Sequence, residues 1–116
     1  METVTISEEM ARNSFEKLSS FLKGVESQSQ DFWNQLENIT MLGIISPGAS
    51  IKAMQDDPTL QRYADITRNI GALTIFLKNR GENPKLEYGN KSQTFKDNMI
   101  QGLMRLLDLT EKELAN

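Results

Sequence analysis

The stretch "FLKGVESQSQDFWNQL", Phe21–Leu36, decides how this chain folds. Large apolar side chains flank it on both sides, while its middle, Ser27-Gln28-Ser29-Gln30, is wholly polar. Either one helix ends here and another begins, or a single long helix carries a polar interval in its apolar seam.

The surrounding spacing favours continuity. Ala11, Phe15, Leu18, Leu22, Val25, Ser29, Phe32, Leu36, Ile39 and Gly43 recur at alternating intervals of four and three, the heptad pattern of a helix with one apolar stripe. The phase crosses the polar interval without a slip, and a fresh helix start usually resets it. Ser7 before Glu8 and Glu9, or Thr5 with Glu8, supplies a cap and acid in the first turn. The pattern predicts one helix from about Ser7 to about Leu42, roughly 50 Å long at about 1.5 Å per residue. Ser29 then sits in the seam, and Gly24 weakens the helix by about 1 kcal/mol. The alternative makes Ser29 or Asp31 the cap of a second helix.

Downstream, "GIISPGAS", Gly43–Ser50, stops this first helix. Gly43 suits a C-terminal cap, Pro47-Gly48 reads as a turn, and Ser50 can cap a short helix, "IKAMQDD". Asp57-Pro58 reads as a cap followed by a first-turn proline. From there Leu60, Tyr63, Ile66, Ile70, Leu73 and Leu77 run at helical spacing into Lys78, Arg80 and Gly81, which suit a helix end. "GENPKLEYGNKS", Gly81–Ser92, is the long connection, with Leu86 and Tyr88 as its anchors and "YGN" as a tight turn without a partner strand. Ser92 or Thr94 caps a third long helix whose inner face carries Phe95, Met99, Leu103, Leu106 and Leu107. A pause at Asp108 and a capping box, Thr110 with Glu113, predict a last short turn, stapled by Leu109 against Leu114. The fold expected is all-α: a single domain over 1–116, three main helices plus one or two short ones, the first helix long.

Composition narrows the chemistry. The chain has 116 residues, a net charge of −3, no cysteine and no histidine. This excludes disulfides, thiolate metal sites and catalysis that depends on histidine. "METVTISEEM" has neither the basic start nor the apolar run of a signal peptide, and no apolar stretch approaches the roughly 18 residues of a membrane span. The close acidic sets, Glu8-Glu9, Asp56-Asp57 and Glu111/Glu113, fall at predicted helix starts, where acid offsets the helix dipole. Gly71 lies within a predicted helix and suggests close helix contact or a hinge. Met10, Met41, Met54, Met99 and Met104 are spread along the chain as core or interface filler.

Charge is uneven. Met1–Leu42 holds three basic and seven acidic residues, net −4, whereas Lys78–Lys96 holds five basic and two acidic, net +3. Lys78, Arg80, Lys85, Lys91 and Lys96 are therefore candidates for gripping phosphate or an acidic partner. Phe95–Asn116, "FKDNMIQGLMRLLDLTEKELAN", resembles the opening of a Cro/repressor-type helix-turn-helix domain, in which a first helix leads into LT-x-x-E-L-A at the start of the second. Leu109, Thr110, Glu113, Leu114 and Ala115 match. The resemblance implies a second helix begun at Thr110. The match covers 22 residues and includes no counterpart of the recognition helix that enters the major groove.

A first helix of that length outruns what two shorter helices cover. Phe15, Leu18, Leu22, Val25, Phe32 and Leu36 are then partner-interface candidates, in a homodimer of antiparallel first helices or against another protein. The function expected is a non-enzymatic protein–protein interaction module, an adaptor, assembly factor or inhibitor of the kind found in phage and mobile elements. It is expected in the cytoplasm, without cofactor, metal, membrane or small-molecule substrate. The alternative is a nucleic-acid-binding regulator or ribonucleoprotein subunit that uses the basic segment 78–96.

Overall fold

In the computed structural model, which describes residues 5–84 and 92–115 without the side chains at 47 and 50, the first helix begins at its expected cap. Ser7 Oγ accepts the Met10 N–H at 3.2 Å, with Glu8 and Glu9 in the first turn. Helix α1 runs Glu8–Lys23 and ends at Gly24. One turn of 3-10 helix follows, Val25–Ser27. Gln28 and Ser29 are extended, and α2 runs Gln30–Ile45.

The continuous helix through Ser27–Gln30 is thus corrected to two helices with a sharp break. Both serines of the interval have a local task. The Gly24 N–H reaches Phe21 O at 3.0 Å, and Ser27 donates to Gly24 O from its N–H and its hydroxyl, at 3.1 and 2.8 Å. Ser29 Oγ accepts the Phe32 N–H at 3.1 Å and caps α2. Short polar side chains offer the backbone such alternatives to the helical ladder. Packing sets the sign of the choice. A straight helix would carry Phe32, Trp33, Leu36 and Ile39 past the rest of the chain, and burying such side chains is worth about 1.5–3 kcal/mol each. The few helical hydrogen bonds given up are worth about 0.5–1.5 kcal/mol each. All four side chains are buried. The seam keeps its phase although the axis bends.

Four further elements complete the described fold: α3 (Pro47–Asp56), a 3-10 turn (Pro58–Leu60), α4 (Gln61–Asn79) and α5 (Phe95–Ala115). Among the described residues there is no strand. Helices α1, α4 and α5 form a three-helix bundle around Leu18, Leu73, Phe76, Leu77, Met99, Leu103 and Leu106. Arg80, just past the end of α4, meets Glu8 at the start of α1 and Glu113 at the end of α5. At the other end Lys96, at the start of α5, meets Glu26 beyond the end of α1. Helices α4 and α5 therefore run parallel, both antiparallel to α1. Helix α2 packs on α4 and α5 at the end where α1 finishes, and α3 packs on α2 and the 58–60 turn.

Several local expectations hold. Asp57 caps the 58–60 turn: its Oδ1 accepts the Thr59 hydroxyl at 2.7 Å and the Thr59 N–H at 3.0 Å, and these bonds lower its pKa from the ordinary carboxylate value. Gly81 has φ +82°, and the Glu82 N–H to Leu77 O and Gly81 N–H to Lys78 O bonds close α4 as a Schellman motif. Thr94 Oγ1 accepts the Asp97 N–H at 3.1 Å and caps α5. The anchors Leu86 and Tyr88 and the "YGN" turn lie outside the described residues.

Others are corrected. Helix α3 begins at Pro47, not after Ser50, because proline fits the first helical turn, where its missing N–H has no partner to lose. Helix α5 does not pause at Asp108. Thr110 is fully buried, and its Oγ1 donates back to Leu106 O at 2.7 Å instead of capping a new helix. The two-helix arrangement implied by the helix-turn-helix resemblance is therefore absent among the described residues, and Glu111 and Glu113 stand near the end of a helix, not at a start. Asp56 closes α3. Gly71 makes no close contact: a Cβ added there meets nothing within 4 Å.

Two substitutions test these assignments. Ser29→Ala removes the α2 cap without adding bulk and should destabilise the protein by about 1 kcal/mol in denaturant unfolding. An unchanged or raised midpoint would contradict the break. Gly71→Ala should stabilise it by about 1 kcal/mol, since the site is helical and open, and a loss of stability would show contact that the structure does not contain.

Candidate functional site

The end of α2 is apolar on every side. Over Ile39–Ile45, "ITMLGII", Ile39 and Thr40 are buried, Leu42 and Gly43 half-buried, and Met41, Ile44 and Ile45 exposed. A helix segment that is apolar all round is ordinarily enclosed, and this one lies at the surface. The chain then turns at Ser46, whose N–H binds Leu42 O at 2.8 Å, directly into α3. Ile51 of α3 joins the exposed set. Exposure is 41% for Met41, 60% for Ile44, 79% for Ile45 and 54% for Ile51. From Asn38 to Ile51 no residue carries a charge.

Helix α3 is weakly held. None of its described side chains is buried, and only Ala53 and Met54 are half-buried. Its N-cap, Ser46, makes no side-chain capping bond. A ten-residue helix is below the roughly 12–15 residues at which isolated helices become even marginal in water. Close to the elbow, Thr40 Oγ1 is buried without a hydrogen-bond partner, at about 1–3 kcal/mol. The α2–α3 elbow is thus the least completed part of the described fold. Its sequence signal is the uncharged run "NITMLGIISPGASI", Asn38–Ile51. Heptad counting overlooked it because Met41, Ile44 and Ile45 lie off the seam.

The partner-interface candidates lie elsewhere. Leu18, Val25, Phe32 and Leu36 are buried in the chain's own core, and Phe15 and Leu22 are half-buried against it. The break supplies the reason: it folds the second half of the stripe back over α4 and α5, so no long exposed seam is left. Phe32 packs edge-on against Trp33 and at a tilt against Phe21 and Tyr63, at centroid distances of 5.3, 5.9 and 5.4 Å. The Arg62 guanidinium lies 4.7 Å over the Phe32 ring and donates to Gln28 Oε1 at 3.3 Å, tying the break to the start of α4.

The basic candidates are not brought together. Arg80 is held by Glu8 at 2.8 Å and Glu113 at 3.9 Å and stacks 4.6 Å over Phe76. Lys96 pairs with Glu26 at 3.3 Å and lies 5.9 Å from the Trp33 ring centroid. These two cations sit at opposite ends of α5, roughly 25 Å apart at about 1.5 Å per residue. Lys78 is exposed. Lys85 and Lys91 lie outside the described residues.

Two of the open grooves among the described residues border α4. One, of about 550 Å³, has Leu18, Phe21 and Ile66 as its floor between α1 and α4, with Glu16, Lys17, Arg62 and Asp65 on its rim. The other, of about 500 Å³, lies between α2 and the start of α4 and is lined by Asp31, Gln35, Asp57, Thr59 and Tyr63. Its Asp57 is held in the ionised form by the two Thr59 bonds, which disfavours its use as a proton donor at neutral pH. Met10 and Met104 are exposed singly on α1 and α5, which is ordinary for a protein surface. No helix among the described residues is long and apolar enough to cross a membrane. Compared with known proteins, the chain matches no family model, no curated protein and no solved structure.

Proposed function

We propose that this protein is a non-enzymatic protein–protein interaction module of the cytoplasm, and that it binds through the α2–α3 elbow. The observation that carries the reading is the uncharged cluster of Met41, Ile44, Ile45 and Ile51, four large apolar side chains exposed on two adjoining helices. Apolar clusters of this kind are the usual mark of a protein contact. The bundle beneath supplies a rigid base, since α1, α4 and α5 bury their own apolar faces within the chain. The absence of cysteine suits a reducing compartment. The nucleic-acid reading has less support: Arg80 and Lys96 face carboxylates at opposite ends of the bundle, so the described residues offer no continuous basic face for a phosphate backbone to follow.

The test is a retention experiment. The immobilised chain is offered purified chain and, separately, extract of its native host. Wild type should retain protein in at least one case. Ile45→Glu with Ile51→Glu should abolish retention while leaving the helical circular dichroism unchanged, because both positions are exposed. Equal retention by wild type and variant would contradict the reading.

A further inference from the structure

We infer that the α2–α3 elbow docks on the same elbow of a second copy of this chain, across a twofold axis. The inference rests on the elbow being an interaction face and identifies what covers it.

Charge is the first ground, and it is compatible with a second copy. In a twofold contact every side chain meets the same surface from the other copy, so a charge near the axis meets its like. The run Asn38–Ile51 has no charge to meet. At its edge Lys52 and Asp56 stand one helical turn apart on α3, both exposed and of opposite sign. An antiparallel pair of α3 helices can match Lys52 of each copy with Asp56 of the other. A membrane surface is a poorer occupant. The charges bordering the run are Glu37, Lys52, Asp56 and Asp57, net −2 (one basic, three acidic), whereas helices that lie in a bilayer interface carry basic flanks.

The second ground is the state of α3 itself. It is too short to persist alone, has no side-chain cap bond, and in the isolated chain buries none of its described side chains. Packing α3 against its twofold mate supplies the missing burial.

The absence of native cysteine makes the test direct. The full chain is examined by sedimentation at tens of micromolar, as wild type and as Ile45→Glu, and Ile51→Cys and Met104→Cys are treated with a short bis-maleimide. Wild type should sediment as a dimer and Ile45→Glu as a folded monomer. Ile51→Cys should crosslink roughly a hundredfold faster than Met104→Cys, because a dimer holds facing thiols at millimolar effective concentration. The crosslinking pair keeps the test decisive even if the glutamate variant unfolds. A monomeric wild type overturns the inference, as does a dimer indifferent to Ile45→Glu or equal crosslinking at the two cysteines. A monomer that binds phosphatidylcholine vesicles through Ile45 overturns it in favour of a lipid surface. A monomer that still retains host protein through the elbow overturns the twofold contact alone and leaves the interaction reading standing. A monomer that retains nothing overturns both.

Discussion

The bond from the Phe32 N–H to Ser29 Oγ is the point on which the architecture turns. It starts a second helix where the apolar spacing alone would continue the first. Everything beyond it takes its direction from that start. Helix α2 leaves the line of α1 and lies over the beginnings of α4 and α5, where Phe32, Trp33, Leu36 and Ile39 find cover. The break is then fastened from outside by side chains of both partner helices. Arg62 of α4 reaches Gln28 and the Phe32 ring, and Lys96 of α5 reaches Glu26 and the Trp33 ring. Glu26 and Gln28, which look idle in the sequence, each receive one of these cations.

What stabilises the assembly is apolar burial far more than charge. Leu18, Leu36, Leu73, Leu77, Leu103 and Leu106 are almost wholly enclosed, and removal of such side chains typically costs about 2–5 kcal/mol each. The ion pairs at the bundle ends are partly exposed and worth about 0–1 kcal/mol each. Their value lies in geometry: Arg80 brings the start of α1 and the end of α5 to the end of α4, which fixes helix order and direction. The same break that completes this core leaves it unequally shared. With the inner face of α2 committed to the bundle, its apolar outer end emerges at the corner with α3, where the described chain has nothing to lay over it.

Much of this fold is legible in the sequence, and the part that is not has a specific cause. Helical spacing marks α4 and α5, and local chemistry marks their borders: Asp57 and Thr94 as caps, Gly81 as the residue with positive φ. The class of fold follows. The break does not, because heptad phase records which residues face the core and is blind to a bend in the axis. Val25, Phe32 and Leu36 hold the same heptad positions whether the helix runs straight or turns. Thr110 shows the converse ambiguity: the same hydroxyl can cap a new helix or bond back within an old one, and its complete burial, a tertiary fact, decides. The stripe expected as an interface is affected for the same reason. Once the stripe folds back on itself it becomes core, and the exposed apolar surface moves to Met41, Ile44, Ile45 and Ile51, three of them on the far side of the same helix.

The account depends most on the turn between α1 and α2, since the enclosure of the seam and the exposure of the elbow both follow from it. A distance across that turn tests it directly. Spin labels at Glu9→Cys and Asn38→Cys, both exposed positions in a chain without native cysteine, can be measured by pulsed electron–electron resonance, with unlabelled chain added to dilute contacts between copies. A continuous helix would separate the two backbones by roughly 44 Å at about 1.5 Å per residue. The break predicts one narrow distribution well short of that value. A distribution centred near 44 Å would show a straight first helix and contradict the account at its root.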